Sequence, residues 1–108
     1  QQASYKALSS KEADGYIKTY KPLILDVRTP KEFARGHIEN SILLPVQELQ
    51  KRIYELDVYK NNAILIYCAS GNRSTVASKI LIDSGFNKIF NLRYGIADWV
   101  RKKYPIVR

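Results

Sequence analysis

The stretch that decides the fold is AILIYCASGNRS, residues 63–74. An apolar, partly β-branched run that ends at small residues is typical of a buried parallel strand, which we expect over 63–67. Beyond this stretch, Val76, Ile80 and Leu81 recur at helical spacing. This spacing predicts a helix from Ser74 onward, so the residues between the two elements form a strand-to-helix turn.

Cys68, the only cysteine of the chain, falls in this turn. The amide groups and positive dipole of a helix N-terminus stabilise a thiolate. Gly71 permits a tight turn whose N–H groups converge on one point, and Arg73 adds positive charge at the rim. A lone cysteine is commonly a small buried hydrophobe. The small residues that follow Cys68 favour instead a nucleophile whose pKa is lowered.

Composition limits the classes of protein to consider. The chain has 108 residues, of which 45% are hydrophobic and 26% charged, and we expect a single domain over 1–108. No apolar stretch approaches the roughly 20 residues that a membrane-spanning helix needs. A single cysteine excludes an internal disulfide and a cysteine-rich zinc site. We expect no metal and no cofactor.

The net charge of +8 is high for this length. Basic residues are spread along the chain, with one small cluster at Arg101-Lys102-Lys103. No nucleic-acid-binding motif accompanies them. We therefore expect a solvated basic surface that attracts anionic substrates, and no nucleic-acid partner.

The amino-terminal residues bear on location. The chain contains no methionine, and Gln1-Gln2-Ala3 would suit the start of a secreted mature form. The given sequence contains no apolar signal-peptide core. Two locations stay open for the soluble protein that we expect: the cytoplasm, or an exported, periplasmic site after removal of a leader.

Strand and helix signals alternate along the chain. Apolar runs predict strands over 23–27, 42–44, 63–67 and 88–92. Helices are predicted after Ser9, from Thr29 to Gly36, and over about 46–56, 74–84 and 96–102. This alternation predicts an α/β fold with a central parallel sheet and helices on both faces. Ligands bind beyond the carboxyl ends of such strands, which is where Cys68 is expected.

Four ordered motifs resemble those of the rhodanese-like sulfurtransferases, and the resemblance covers nearly the whole chain. The family's active-site loop, often Cys-x-x-Gly-x-Arg followed by Ser or Thr, is present as residues 68–74. The other matches are Asp26-Val27-Arg28 with Glu32-Phe33, then Gly36-His37-Ile38, and finally Pro45, Gly95 and Trp99. Where the family often has Gly-Ala, this chain has Asn40-Ser41, and where the family has Gly-Gly before the last helix, it has Tyr94-Gly95. Neither departure touches the nucleophile. The implied rhodanese-like fold has a sheet of about five short strands.

The resemblance implies a two-step sulfur transfer. The Cys68 thiolate takes a sulfane sulfur from a small anionic donor such as thiosulfate, a polysulfide or a persulfide. The resulting persulfide is held by the loop, whose members after the nucleophile are Ala69, Ser70, Gly71, Asn72, Arg73 and Ser74. Cyanide, a cellular thiol or a protein then accepts the sulfur, which gives ping-pong kinetics.

The remaining polar side chains near the loop have simpler expected roles. Arg73 either orients an anionic donor or pairs with a carboxylate such as Asp26. Asp26 is expected to cap backbone amides. Arg28 and Glu32, four residues apart around a helix start, are expected to form an ion pair. His37, the only histidine, is expected to fix a loop through a backbone hydrogen bond and to take no catalytic part.

Two other functions compete with sulfur transfer to small acceptors. A cysteine-dependent phosphatase carries five residues between its cysteine and arginine, whereas four separate Cys68 from Arg73. The shorter loop suits one sulfur better than a tetrahedral oxyanion. The second competitor is a protein-binding or persulfide-relay module with little turnover of small acceptors.

Overall fold

The sheet is built around one fully buried strand that leads directly to Cys68. The computed structural model describes residues 4–108. Its strands are β1 (Lys6–Leu8), β2 (Leu23–Asp26), β3 (Ser41–Leu43), β4 (Ile64–Tyr67) and β5 (Ile89–Leu92). Its α-helices are α1 (Ser10–Tyr20), α2 (Pro30–Arg35), α3 (Leu49–Arg52), α4 (Asn72–Asp83) and α5 (Gly95–Arg101). Residues 1–3, on which the expectation of a secreted mature form rests, lie outside the described residues.

All strand pairings are parallel, in the order β1-β5-β4-β2-β3. The predicted α/β class and the sheet of about five short strands are confirmed. Because β4 lies between β5 and β2, its carboxyl end is flanked by the ends of both neighbours. Cys68 therefore follows the strand at the middle of the sheet, where open α/β sheets place their ligands.

Alternate side chains of β4 supply two hydrophobic cores, one on each face of the sheet. Ile64 and Ile66 pack in the core that includes residues of α3 and α4. Leu65 and Tyr67 pack in the core that includes residues of α1 and α5. This period-two alternation, buried on both sides, explains why the strand is a continuous apolar run. The expectation of helices on both faces is confirmed.

The predicted helix starts are present as capping boxes. The hydroxyls of Ser9 and Thr29 accept hydrogen bonds from the amides of Glu12 and Glu32, and each glutamate accepts one from the amide of its cap. Gly36 ends α2 as expected. The reciprocal bonds satisfy amide groups that have no partner within the helix.

Four features differ from the sequence-based predictions. The helix expected over 46–56 is a 3₁₀ turn (Val46–Glu48), the short α3, and a second 3₁₀ segment (Ile53–Tyr59). The helix expected from Ser74 begins two residues earlier, at Asn72. Strand β1 was not predicted from the residue pattern, and β3 is shifted by one residue towards the amino terminus.

The carboxyl-terminal segment, residues 105–108, is joined to the rest of the described residues by four hydrogen bonds. His37 and Val107 exchange two backbone bonds, both 2.8 Å long. Trp99 donates its indole N–H to the carbonyl of Pro105, and Arg108 Nε donates to the carbonyl of Arg35. Within residues 4–108, no helix has both the length and the apolar character required to cross a membrane.

Candidate active site

Cys68 lies at the junction between the end of β4 and the start of α4, as its sequence position predicts. Its side chain is almost completely buried, with 1% of its surface exposed. The loop from Ala69 to Gly71 separates it from Asn72, the first residue of α4. Residues 68–74 therefore bend around one sulfur atom.

Two backbone amides of the loop point at this sulfur. The amide of Gly71 donates to Cys68 Sγ at 3.1 Å, and the amide of Ser74 donates at 3.3 Å. The thiol in turn lies 3.4 Å from Ser74 Oγ and donates to it. Once the thiol loses its proton, this hydroxyl can rotate and donate to the sulfur instead. The loop forms a nest for a negatively charged sulfur.

These contacts lower the pKa of the Cys68 thiol. Burial by itself disfavours the charged form and raises the pKa. The hydroxyl and amide of Ser74, followed by the amides of Gly71 and Ser70, outweigh this effect and bring the pKa below its ordinary value. The predicted direction of the shift agrees with the geometry, and its source is hydrogen bonding to the thiolate.

Glycine at two positions lets this loop lie against the start of α5. A Cβ on Gly71 would lie 2.3 Å from the carbonyl oxygen of Arg93, and the φ of Gly71 is +110°. A Cβ on Gly95 would lie 2.3 Å from the carbonyl oxygen of Ala69. Both contacts are shorter than heavy atoms tolerate, so these positions require a residue without a side chain.

Helix α5 fastens the loop through its first amides. Ile96 donates to the carbonyl of Cys68 at 2.9 Å, and Ala97 donates to the carbonyl of Ala69 at 3.1 Å. The sequence singled out Gly95 only as part of a family motif, and it did not single out Ile96 or Ala97. Since both act through backbone groups, their side-chain types carry no direct signal of this contact.

Arg73 pairs with Glu32 of α2. Its two terminal nitrogens donate to the two carboxylate oxygens at 2.8 and 2.9 Å. Of the two roles considered for Arg73, donor binding and carboxylate pairing, the structure shows the pairing, and the partner is Glu32 in place of Asp26. The guanidinium, together with hydrogen bonds from Thr29, lowers the pKa of Glu32 to about 2. The charge of Arg73 is thus largely balanced in this structure.

The expected ion pair between Arg28 and Glu32 is not formed. Arg28 donates instead to both carboxylate oxygens of Asp26, with Nη2–Oδ2 at 2.7 Å, and to the carbonyl of Gly36 at 2.8 Å. Asp26 also accepts the amide of Arg28, which is the capping contact that the sequence suggested. Both side chains are buried, so this pair braces the turn that follows β2.

His37 makes the backbone contact expected of it. Its Nδ1 donates to the carbonyl of Phe33 at 2.9 Å, and its ring stacks on the Phe33 ring at 3.7 Å between centroids. The imidazole thereby closes the last turn of α2. The side chains of Ser70 and Asn72 are exposed, and Ala69 is half-buried. These three loop residues therefore bring no polar side-chain atom to the sulfur.

Chemically, the arrangement offers a buried thiol, converging amides and one hydroxyl. Among the described residues 4–108, no group of three or more His, Cys, Asp or Glu side chains lies close enough to hold a metal ion. A thiolate held by neutral donors can act as a nucleophile without a general base. The same donors can stabilise a negative sulfur attached to it.

The sequence of this chain is similar to the sequences of several known proteins. Residues 9–102 match the family described as Rhodanese-like domain. A protein named sulfurtransferase from Allochromatium vinosum is 38% identical over 102 residues, which are 94% of this chain and 90% of that protein. The putative sulfur carrier protein YrkF of Bacillus subtilis is 39% identical over 79 residues, which are 73% of this chain but only 42% of that protein.

A solved structure has the same fold. A rhodanese-related protein from Thermoplasma volcanium superposes with a TM-score of 0.85 at 34% identity, over 95% of this chain and 98% of that chain. Both the sequence match and the structural match extend over most of the described residues. The chain therefore belongs to the rhodanese-like domain family.

Proposed function

We propose that this protein is a sulfurtransferase that carries sulfane sulfur as a persulfide on Cys68. The observation that carries the proposal is the pair of amides, from Gly71 and Ser74, aimed at Cys68 Sγ within a loop that lowers the thiol pKa. Relatives named sulfurtransferase and sulfur carrier support sulfur as the transferred group. A single domain over residues 1–108 is part of the proposal.

In the first step, the Cys68 thiolate attacks the terminal sulfur of a donor such as thiosulfate. A new S–S bond forms to Cys68, the donor's S–S bond breaks, and its electron pair leaves with sulfite. The product is a Cys68 persulfide anion. The amides of Ser70, Gly71 and Ser74 are the groups placed to stabilise its negative charge.

In the second step, a thiophilic acceptor attacks the outer sulfur of the persulfide. With cyanide, a C–S bond forms, the S–S bond breaks, and its electron pair returns to Cys68 as the thiolate. The acceptor leaves as thiocyanate, so neither an external oxidant nor a reductant is consumed. Splitting one transfer into two steps is the advantage of a covalent carrier.

The direct test is mass spectrometry of the protein after exposure to thiosulfate, a polysulfide or a small persulfide. We expect a gain of about 32 Da on Cys68, removed on addition of cyanide with release of thiocyanate. The Cys68→Ala variant should fold normally and gain no mass. Turnover by Cys68→Ala, or the absence of the added sulfur with every donor, would refute the proposal.

A persulfide relay to a dedicated protein is the second candidate. The similarity to a putative sulfur carrier protein favours it, although this chain matches less than half of that protein's length. Steady-state rates separate the two functions. Rapid turnover with cyanide or small thiols supports a free-standing enzyme, whereas a stable persulfide that small acceptors discharge slowly supports a relay.

Phosphoester cleavage is disfavoured by two features of the loop. Four residues separate Cys68 from Arg73, which makes the ring of amides small. Both terminal nitrogens of Arg73 are also bound to Glu32, so a carboxylate already engages them in this structure. Turnover of a generic aryl phosphate that depends on Cys68 would contradict this conclusion.

A further inference from the structure

A surface groove reaches the active-site loop. Its volume is about 390 Å³, and its lining includes Ala69, the residue that follows Cys68. From there the lining continues along α5 with Ile96, Ala97 and Val100. Because α5 donates two amides to the loop at Cys68 and Ala69, groove and nucleophile are held in a fixed relationship.

The wall formed by α5 and the carboxyl-terminal segment is apolar. Val100 leaves 47% of its surface exposed although it lies in this groove. Ile106 completes the wall, and it packs against Gly36 so closely that a Cβ there would lie 2.7 Å from Ile106 Cδ1. An apolar groove that reaches the loop of a nucleophile is suited to the hydrocarbon part of a substrate.

The charged groups of the groove leave one unbalanced cation. Arg28 is bound to Asp26, and Glu32 is bound to Arg73. The exposed side chain of Arg35 has no carboxylate partner among residues 4–108. Arg35 and Gly36 both line the groove, and Ile106 of the apolar wall packs against Gly36. The groove therefore combines an apolar wall with the unpaired guanidinium of Arg35. A guanidinium at this place recognises a carboxylate.

We infer that this groove binds the sulfur acceptor, and that the acceptor is a small thiol on an unbranched apolar chain that ends in a carboxylate. The inference rests on the proposed function, because it assigns the acceptor of the Cys68 persulfide. The chain lies along Val100 and Ile106, the carboxylate pairs with Arg35, and the thiol reaches the loop at Ala69. Complementary charge and apolar area select this acceptor over a neutral or cationic thiol.

The chemical step is balanced with this acceptor. The acceptor thiol loses its proton to solvent, and its thiolate attacks the outer sulfur of the Cys68 persulfide. One S–S bond forms on the acceptor while the S–S bond on Cys68 breaks. The electron pair returns to Cys68 as a thiolate, and the acceptor leaves as a carboxyalkyl persulfide.

The test uses protein loaded with sulfur on Cys68 and freed of donor. The loaded protein is mixed with ω-mercaptoalkanoates of increasing chain length, and loss of the added sulfur is followed by mass spectrometry. We expect the rate at low acceptor concentration to rise with chain length, by up to about fourfold for each methylene buried. At equal length, the carboxylate should react faster than the ω-mercapto alcohol, and the ω-mercapto amine should react most slowly.

Variants locate the effect in the groove. Val100→Glu should abolish the dependence on chain length, and Arg35→Gln should abolish the preference for the carboxylate over the alcohol. In each variant the thiol rate is expressed relative to the cyanide rate of the same preparation. The matched controls are Val58→Glu, at an 80% exposed position outside the groove, and Lys51→Gln on α3. Both should behave like the unmodified protein.

The outcomes separate this inference from the proposed function. A protein that loads sulfur and is discharged by cyanide, but shows equal rates across the thiol series, would overturn the inference alone. Selectivity that persists unchanged in both Val100→Glu and Arg35→Gln would also overturn it. A protein that never loads sulfur on Cys68 would overturn the proposed function and the inference with it.

Discussion

The guanidinium of Arg73 and the carboxylate of Glu32 are joined by two parallel hydrogen bonds, at 2.8 and 2.9 Å. The two residues are 41 positions apart, and the pair connects the first turn of α4 to the first turn of α2. Both side chains are partly exposed, at 35% and 29%. An anionic donor that approaches Cys68 therefore meets an arginine whose charge is already balanced.

Glu32→Gln should make thiosulfate a better donor. The side-chain oxygen of glutamine can still accept the hydrogen bond from the amide of Thr29 that caps α2. The negative charge is removed, however, so the charge of Arg73 is no longer balanced. We expect KM for thiosulfate to fall on the order of fivefold, the scale of a single charge acting on a divalent anion through water. The free energy of unfolding should decrease by about 1 kcal/mol, as for other partly exposed pairs.

Steady-state kinetics and urea unfolding check this prediction. Glu55→Gln is the matched control, since it breaks another arginine–glutamate pair, with Arg52, outside the site. The control should leave KM for thiosulfate unchanged.

Acid unfolding adds a second measurement on Glu32. Because the pKa of folded Glu32 is lowered to about 2 from 4.5, its contribution to stability is present above pH 4.5 and lost as the pH falls towards 2. Glu32→Gln should lack that loss.

Ser74→Ala should shift the reactivity of Cys68 to higher pH. The variant removes a hydroxyl that lowers the thiol pKa and keeps the Ser74 amide in place. The rate of iodoacetamide alkylation follows the thiolate fraction, so its midpoint should move upward in pH. Sulfur loading near neutral pH should slow accordingly.

Ser78→Ala is the control for this experiment. Ser78 is buried one turn further along α4 and donates to the carbonyl of Ser74 at 2.8 Å, but it makes no contact with the sulfur. Its removal deletes a comparable hydrogen bond. If both variants shifted the alkylation midpoint equally, the specific role assigned to the Ser74 hydroxyl would be wrong.

Gly71→Ala should damage both stability and the nucleophile. The new methyl group would meet the carbonyl oxygen of Arg93 at 2.3 Å, and the backbone at +110° would be strained. We expect a loss of about 1–3 kcal/mol in the free energy of unfolding and slower alkylation of Cys68. Thermal unfolding and the alkylation rate measure the two effects.

Gly15→Ala should have the opposite effect on the free energy of unfolding. Gly15 lies within α1, and a Cβ there would meet nothing within 4 Å. Alanine should therefore stabilise the protein by about 0.5–1 kcal/mol through helix propensity. A Gly71→Ala protein as stable as Gly15→Ala would show that the loop does not need its close approach to Arg93.

Asp26→Asn should be strongly destabilising. It leaves the buried guanidinium of Arg28 without its anionic partner, for which the typical cost is about 3–5 kcal/mol. Arg52→Gln, which breaks an exposed network between α3 and the two flanking 3₁₀ segments, should cost at most about 1 kcal/mol. Chemical unfolding of the two variants under the same conditions compares them. Equal losses would contradict the distinction between buried and exposed pairs.

Local sequence signals predicted the parts of the fold that local chemistry controls. Both capping boxes, the buried strand before Cys68 and the turn containing Gly71 follow from residues close together in the chain. Strand β1 has no such signal. It contributes three residues, and it becomes a strand because it pairs with β5, more than 80 positions away. Tertiary pairing of this kind is not encoded by a local pattern.

The ion pairs show the same limit at the site. The spacing of Arg28 and Glu32 suggested a pair, but Arg28 precedes α2 and its backbone does not follow helical geometry with Glu32. Its guanidinium instead turns back to Asp26, two residues away. Glu32 is then available to Arg73, a partner brought near only by the packing of α2 beside the loop.

The hydrogen bonds between α5 and the active-site loop keep the loop's carbonyl groups apart from its amide groups. The carbonyls of Cys68 and Ala69 accept amides from α5, and that of Gly71 accepts the Thr75 hydroxyl at 2.8 Å. These oxygens are thereby turned away from the sulfur, while the amides of Gly71 and Ser74 face it. The dipoles are oriented when the chain folds, so no reorientation is required as charge arrives on the persulfide. Folding, rather than each turnover, bears the cost of arranging the field around the sulfur.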